Sequence, residues 1–433
     1  MTDERISRVL EHPAVEQAAV ADPDDGTVHV VADPERAPLL RRAGDLELPP
    51  GVGLHEPAPD LLVAGVNRTE TEFLHREVWQ ENAYLRHGLV VPRDAVVVDI
   101  GSNIGLFSLL AGTRAPGARI VAVEPMAETA AAATTTGRLH GLDLTVVTEA
   151  AGDHPGSAEL TFYPGNTVMS GRYAEAGEDQ EVLHSYLSTD PEAAGLDLDR
   201  LVGERMRGTT RTVPVTTVTE LVTRFGLPRI DLLKIDVEKA EWDVLTGVDA
   251  ATWPAVQQVA LEVHDLDDRL NRVLALLRSQ GFLVAHERDP RLVGTPLYTV
   301  YARRPGARPA HPFPAVPPAW PTSRALAADL RARLGGSWPA RVNLVPGLDR
   351  LRSGPVAART AETAVLAEIW DGIFGAGAAA TNAGFFELGG TSLTAVRLID
   401  LVEGRLGEGA LEPDTVFTAN SFTELAAAVR APA

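Results

Sequence analysis

Across the middle of the chain, short runs of consecutive apolar residues alternate with stretches of helical period. The runs "AVVVDI", "ARIVAVEP", "DLTVVTEAA", "IDLLKIDV" and "VQQVALEVH" read as strands, with helical segments between several of them. Uninterrupted apolar strands separated by helices predict an α/β domain whose mostly parallel sheet is covered on both faces. Ahead of them, "ERISRVLEHP" predicts a short helix, and "EQAAVAD" and "TVHVVAD" predict two strands. Residues 305–322, "PGARPAHPFPAVPPAWPT", hold too many prolines for a regular helix and read as a connector. Beyond it lie the helix "SRALAADLRARLGG" and then three helical segments, "AETAVLAEIWDGIFG", "SLTAVRLIDLVEGRLG" and "SFTELAAAVR". The predicted division is 1–40, 41–308, 309–357 and a compact helical domain over 358–433.

Length agrees with this division, since 433 residues suit two or three domains. Hydrophobic content of 45% is enough for buried cores, and a net charge of −20 argues against nucleic acid or an anionic membrane as a partner. With no cysteine, disulfides, Cys-ligated zinc and Cys nucleophiles are excluded. The start "MTDERISRVLEHPAV" lacks an apolar signal core and no long apolar run follows, so a cytoplasmic location is expected.

Candidate chemistry begins at "VVVDIGSNIGLFSLLAG", a strand, a loop and a helix. Asp99 ends the strand, and Gly101 and Gly105 lie in the loop. Glycines there let a ligand approach the backbone, and the helix N-terminus favours negative charge. Glu124 ends the next strand, "RIVAVEP", at the spacing where an acidic residue holds a ribose diol. The pattern D-x-G-x-x-x-G, in place of G-x-G-x-x-G, favours S-adenosylmethionine over a nicotinamide dinucleotide.

Residues 65–304 resemble the FkbM-type methyltransferases. The resemblance rests on "GVNRTETEFLHREVWQENAYLRHGLVV", "VVVDIGSNIGLFSLLAG", "FYPGNTVMSGRY", "IDLLKIDVEKAEWDVLTG" and "GTPLYTVYARR", in that order. It implies a class I (Rossmann-like) seven-strand fold and S-adenosylmethionine-dependent methylation, most often of oxygen. It further implies that Gly101, Asn103 and Gly105 shape the methionine pocket, that Glu124 takes the ribose, and that Asp153 in "EAAGD" lies beside adenine. Asn67, Glu70, Thr71 and Tyr84 become lid contacts over the cofactor, with His75 a further candidate nearby. The family usually has glycine after "KIDVE", where this chain has Lys239.

Removing a hydroxyl proton during methyl transfer requires a base near the ends of the later strands, where open α/β sheets place their sites. "LLKIDVEKAE" presents Lys234 and Asp236 on one side of a strand, and "LEVHD" presents Glu262 and His264 in the same way. His264 is the candidate base, because imidazole titrates near neutrality, and Asp236 would orient it or hold substrate. Equally open is a structural role in which Asp236 caps the next helix and Lys234 pairs internally. No metal is expected.

The flanks carry two more resemblances. Residues 4–33 and the segment "ALAADLRARLGGSWPARVNLVPGLDRLRSGPVAART" resemble the two halves of the small C-terminal subdomain of nonribosomal peptide synthetase adenylation domains. The family's adenylate-binding lysine is replaced by Pro355, which offers neither charge nor donor. A non-catalytic scaffold interrupted by the methyltransferase is therefore expected. Its halves should pair, with residues ~35 and ~320 close together.

"FFELGGTSLTAVRLIDLV" resembles the core of peptidyl or acyl carrier domains, which implies covalent 4′-phosphopantetheine on Ser392. A bare helix N-cap is the alternative for that hydroxyl. Together these imply O-methylation of a carrier-tethered acyl or aminoacyl group in nonribosomal peptide or polyketide biosynthesis. Expected partners are a phosphopantetheinyl transferase, an adenylation or other enzyme loading in trans, and downstream synthetase modules. N- or carboxyl-methylation, a free-standing methyltransferase, and a carrier with a relic methyltransferase fold are the competing readings.

Overall fold

A computed structural model describes residues 2–22, 27–175, 177, 179–180, 184, 198–288, 295–310, 320–334, 339, 341–346, 348, 361–374, 378–379, 384–385, 392–407, 409–412, 415–416, 419 and 422–430. Pro355 and residues 386–391 lie outside them. The chain forms two units, residues 70–315 and the two flanks 1–69 with 316–433.

In the flanking unit, helix Thr2–Leu10 precedes β1 (Val15–Asp22) and β2 (Thr27–Ala32), which pair antiparallel. Helix Pro38–Asp45 has proline in its first turn and buries Leu39, Leu40 and Ala43. Next comes the antiparallel hairpin β3 (Gly53–Ala58) and β4 (Leu61–Gly65). Residues 41–69 therefore fall outside the methyltransferase-like unit, although the apolar pattern groups them with it.

Unit 70–315 begins within the helix Arg68–His75, which runs into a π-helical turn, Arg76–Gln80, followed by β5 (Val96–Ile100), β6 (Arg119–Val123) and β7 (Asp143–Val147). β8 (Ala150–Ala151), β9 (Gly156–Phe162) and β10 (Thr209–Thr216) make a separate three-stranded sheet. Then follow β11 (Leu232–Ile235), β12 (Gln258–His264), β13 (Leu283–Glu287) and β14 (Leu297–Arg303). The main sheet has the order β13-β14-β12-β11-β5-β6-β7. β7, β6, β5, β11 and β12 run parallel, and β14 runs antiparallel to both β12 and β13. This is the Rossmann-like seven-strand arrangement, with the order reversing between β5 and β11. Every residue of β5 is buried, as a central strand covered on both faces requires. The run "DLTVVTEAA" is not one strand: β7 stops at Val147, and Ala150 and Ala151 pair instead with β10.

Returning to the flanking unit, helix Ser323–Leu334 is tied to the β3–β4 hairpin. Glu56 accepts from the Ser323 hydroxyl (2.6 Å) and from Arg324 Nε (2.7 Å), and Thr322 donates to the Pro59 carbonyl (2.8 Å). β15 (Arg341–Leu344) pairs parallel with β2, so residues from both sides of the insertion share one sheet. Asp329 lies 2.9 Å from both His12 Nε2 and Trp320 Nε1, a second join between the two sides. Helices Ala361–Phe374, Ser392–Leu406 and Phe422–Ala428 bury Trp370, Phe385, Leu398, Val402 and Phe422 among themselves. Among the described residues no helix is long and apolar enough to cross a membrane.

Candidate active site

The site forms where β5 and β11 end side by side. Gly101 leaves β5 at φ +72°, and a Cβ on it would lie 1.7 Å from the Asp236 carbonyl oxygen. Only glycine lets the two strand ends approach this closely. Gly105, at φ +81°, begins the helix Leu106–Arg114, where a Cβ would crowd Ala133 at 3.0 Å.

Between them, the Asn103 backbone N–H donates to Glu124 Oε2 (2.9 Å), and Asn103 Nδ2 donates to Thr167 Oγ1 (3.2 Å). Glu124 Oε1 accepts from Met126 N (3.0 Å) and Thr129 Oγ1 (2.9 Å). These three donors leave room for about one more on a carboxylate. Burial pushes the Glu124 carboxyl upward, and the same three donors pull it back. Glu124 therefore organises the loop and keeps one acceptor direction for a hydroxyl. Ser102 Oγ is buried in the same loop with no hydrogen-bond partner, an orphan a bound polar ligand would satisfy. A glycine cradle, an orphan hydroxyl and a ribose-type acceptor fit S-adenosylmethionine.

Beneath the loop, Lys234 Nζ donates to the Gly101 carbonyl (2.6 Å) and lies 3.4 Å from Asp99 and 3.2 Å from Asp236. Burial works against its charge, but Asp236 and Asp99 more than offset that and raise its pKa. It is a fixed cation holding two strand ends, with no proton to exchange. Asp99 also accepts from Ser108 Oγ at 2.7 Å. Tyr84 donates to Asp236 Oδ2 (2.8 Å), and burial followed by the surrounding carboxylates pushes its hydroxyl well up.

Above this pair lies a group of carboxylates. Oxygens of Asp236, Glu238 and Glu262 come within 4.8 Å of one another. Nothing beyond that grouping points to an ion, and no metal is assigned. Burial, with Asp236 nearby, pushes Glu77 to about 8, and burial pushes Glu238 to about 7. Burial and the neighbouring acids hold Glu262 well above the usual carboxylate range. His264 uses both ring nitrogens: Nδ1 is 2.7 Å from Glu241 Oε1, and Nε2 is 3.4 Å from Glu238 Oε2.

Other residues singled out in the sequence are dispersed. Glu70 accepts from the Thr167 backbone N–H (3.0 Å) and hydroxyl, and so reaches the cofactor loop through Thr167 and Asn103. Thr71 is fully buried, and His75 packs against Trp79 with ring centroids 6.3 Å apart. Asn67 belongs to the flanking unit. Asp153 lies just beyond β8, is exposed and pairs with His154 at 2.8 Å. Ser392 opens the helix Ser392–Leu406. Sequence reasoning passed over Glu77, Thr167, Glu238 and Glu241, although all four lie inside motifs quoted for the resemblance.

Lys239 sits at φ +69°, which explains why glycine is usual there. In this chain its ammonium lies 2.9 Å from the buried Asp179, an ion pair with little exposure.

Fold and site together define an S-adenosylmethionine-dependent methyltransferase. Residues 99–284 match the methyltransferase FkbM domain, and residues 364–429 match the phosphopantetheine attachment site domain. The 31-O-demethyl-FK506 methyltransferase FkbM of Streptomyces tacrolimicus is 39% identical over 243 residues, 56% of this chain and 93% of that protein. Methyltransferase 1 of Beauveria bassiana is 32% identical over 231 residues, 51% of this chain and 84% of that protein. The chain belongs to the FkbM methyltransferase family and carries a C-terminal carrier domain. Its cofactors are S-adenosylmethionine and covalent 4′-phosphopantetheine. The AMB antimetabolite synthetase AmbE of Pseudomonas aeruginosa is 35% identical over 479 aligned residues, 99% of this chain but 22% of that protein. The chain thus spans about a fifth of this relative's length.

Proposed function

We propose that the protein methylates a hydroxyl on an acyl or aminoacyl group carried by its own 4′-phosphopantetheine arm on Ser392, within cytoplasmic nonribosomal peptide or polyketide assembly. The observation that carries this is the fusion itself, an FkbM unit and a carrier domain in one chain, matched from end to end within a synthetase. Ser392 at the start of a helix suits the attachment, because a helix N-terminus tolerates a new phosphodiester. Loading in trans is supported by Pro355, which stands where the resemblance calls for a lysine.

When bound, S-adenosylmethionine supplies an electrophilic methyl group on a sulfonium. Gly101, Asn103, Gly105 and Glu124 hold it by backbone approach and by the remaining acceptor direction of Glu124. Lys234 locks Gly101 to Asp99 and Asp236, so the cofactor loop and the acid-lined mouth keep a fixed spacing. Tyr84 holds the Asp236 carboxylate from the other side. The tether places the acceptor at an effective concentration of about millimolar, so contacts to the acyl group need contribute little affinity.

The test is methyl transfer to carrier-bound loads that differ only in the acceptor: hydroxyl, amine or carboxyl. Transfer to the hydroxyl alone supports the proposal. Transfer confined to the amine or the carboxyl overturns the oxygen assignment, and no transfer to any tethered load overturns the tether.

A further inference from the structure

His264 is the sequence's candidate base, yet its surroundings suit a different task. Its Nδ1 is 2.7 Å from Glu241 Oε1, and its Nε2 is 3.4 Å from Glu238 Oε2. Glu241 is fully buried and is itself held by Arg269 Nη1 (2.8 Å) and the Lys239 backbone N–H (2.9 Å). Side-chain exposure rises along the row, from 0% at Glu241 to 13% at His264 and 27% at Glu238. The row runs outward from the interior, and Glu238 is its outer end.

The backbone presents Glu238 deliberately. Its φ is +37° and that of Lys239 is +69°, two successive non-glycine residues in a region that L side chains avoid. Gly171, in the motif loop that also carries Thr167, leaves the space: a Cβ there would lie 2.9 Å from Glu238 Cβ. The neighbouring acids are engaged or disfavoured as anions. Asp236 is paired with Lys234 and accepts from Tyr84. Burial, with the surrounding acids, pushes Glu262 and Glu77 upward.

We propose that Glu238 is the catalytic residue that accepts the hydroxyl proton, and that His264, oriented by Glu241 and Arg269, is a positioning residue whose positive charge keeps Glu238 ionised. This rests on the hydroxyl-methylation reading above. As the acceptor oxygen takes the methyl group, the carbon–sulfur bond breaks, the sulfonium becomes a neutral thioether, and the oxygen's proton passes to a Glu238 carboxylate oxygen and then to water. The titratable groups around Glu238 are His264 and Glu262 from β12, Asp236 from the end of β11, Glu241 from the following helix, Asp179, and Glu77 from the π-helical turn. Burial raises Glu238 to about 7 and His264 alone pulls it down, so the base works at neutral pH only while the imidazolium faces it.

The experiment follows kcat against pH in the full carrier-loaded protein, with S-adenosylmethionine affinity measured by calorimetry in every variant. Wild type should lose activity towards acid with a midpoint near 7. In Glu238→Gln, kcat should fall by about a hundredfold or more and the acid limb should vanish, with cofactor affinity intact. Glu238→Asp should keep the limb at reduced kcat. His264→Gln should retain measurable transfer, with the limb moved to higher pH. Nitrogen-15 resonances of the His264 ring, identified by their loss in His264→Gln, should titrate above the range of free imidazole. The inference is overturned if His264→Gln abolishes the limb while Glu238→Gln keeps it, if Glu262→Gln alone removes it, or if the His264 ring titrates at or below the ordinary value. A wild-type protein that methylates no tethered hydroxyl defeats the underlying reading instead, and the ring titration still judges the pairing.

Discussion

Replacing Lys239 by glycine sets two effects against each other. The residue sits at φ +69°, so glycine relieves a backbone penalty of about 1 kcal/mol. The same change removes the ammonium 2.9 Å from Asp179, whose side chain is only 6% exposed. Asp179 would keep only a long hydrogen bond from the Tyr163 hydroxyl (3.5 Å), and removing the cationic partner of a buried carboxylate costs about 3–5 kcal/mol. The ion pair wins, and Lys239→Gly should be less stable by about 2–4 kcal/mol, although it restores the residue that the resemblance calls for. For a unit of this size that is a fall in Tm of about 4–16 °C. Differential scanning calorimetry of the full chain reads it, following the transition that S-adenosylmethionine raises, which identifies the methyltransferase unit. Adding Asp179→Asn removes the stranded charge, and the double variant should recover to within about 1 kcal/mol of the native protein. A Lys239→Gly protein as stable as wild type would refute the reasoning, because backbone strain would then outweigh the pair.

Gly101→Ala forces a Cβ to within 1.7 Å of the Asp236 carbonyl, so the cofactor loop must shift, and S-adenosylmethionine affinity should fall at least about thirtyfold by calorimetry. Gly141→Ala shares a positive φ of +66° but meets nothing within 4 Å, so it should cost about 1 kcal/mol of stability and leave cofactor affinity unchanged. Burial alone would push Glu287 upward, but hydrogen bonds from His87, Arg86 and Tyr301 hold it down at about 2. Its folded pKa lies below the unfolded value, so its contribution is full above about pH 4.5 and is lost as pH falls towards 2. Allowing for partial exposure, that is about 2 kcal/mol, and denaturant unfolding of Glu287→Gln should show a correspondingly weaker acid dependence in this window.

The sheet was legible because its strands are parallel and buried on both faces, so runs such as "VVVDI" carry no polar interruption. The cofactor loop was legible for a different reason: Asp99, Gly101, Gly105 and Glu124 lie at spacings set by one strand–helix–strand unit. The acid-lined mouth had no such local signal. Glu77, Glu238 and Glu262 come from three separate segments and meet only when the sheet closes. Nor does any residue type announce the positive φ at Glu238 and Lys239, since neither is glycine. That the β3–β4 hairpin groups with the flanks was not legible, because what ties it down, Thr322, Ser323 and Arg324, lies more than 260 residues further along the chain. The run before Asp153 read as one strand, whereas the structure divides it between two sheets.

The central claim is that one chain carries its own substrate and methylates it. Intact-protein mass spectrometry tests it most directly, after treatment with coenzyme A and a phosphopantetheinyl transferase, then a hydroxyacyl load and S-adenosylmethionine. The account predicts a phosphopantetheine gain that is absent in Ser392→Ala, followed by one methyl mass on the loaded protein. Absence of the first gain, or methylation of free alcohols that proceeds equally well in Ser392→Ala, would contradict it.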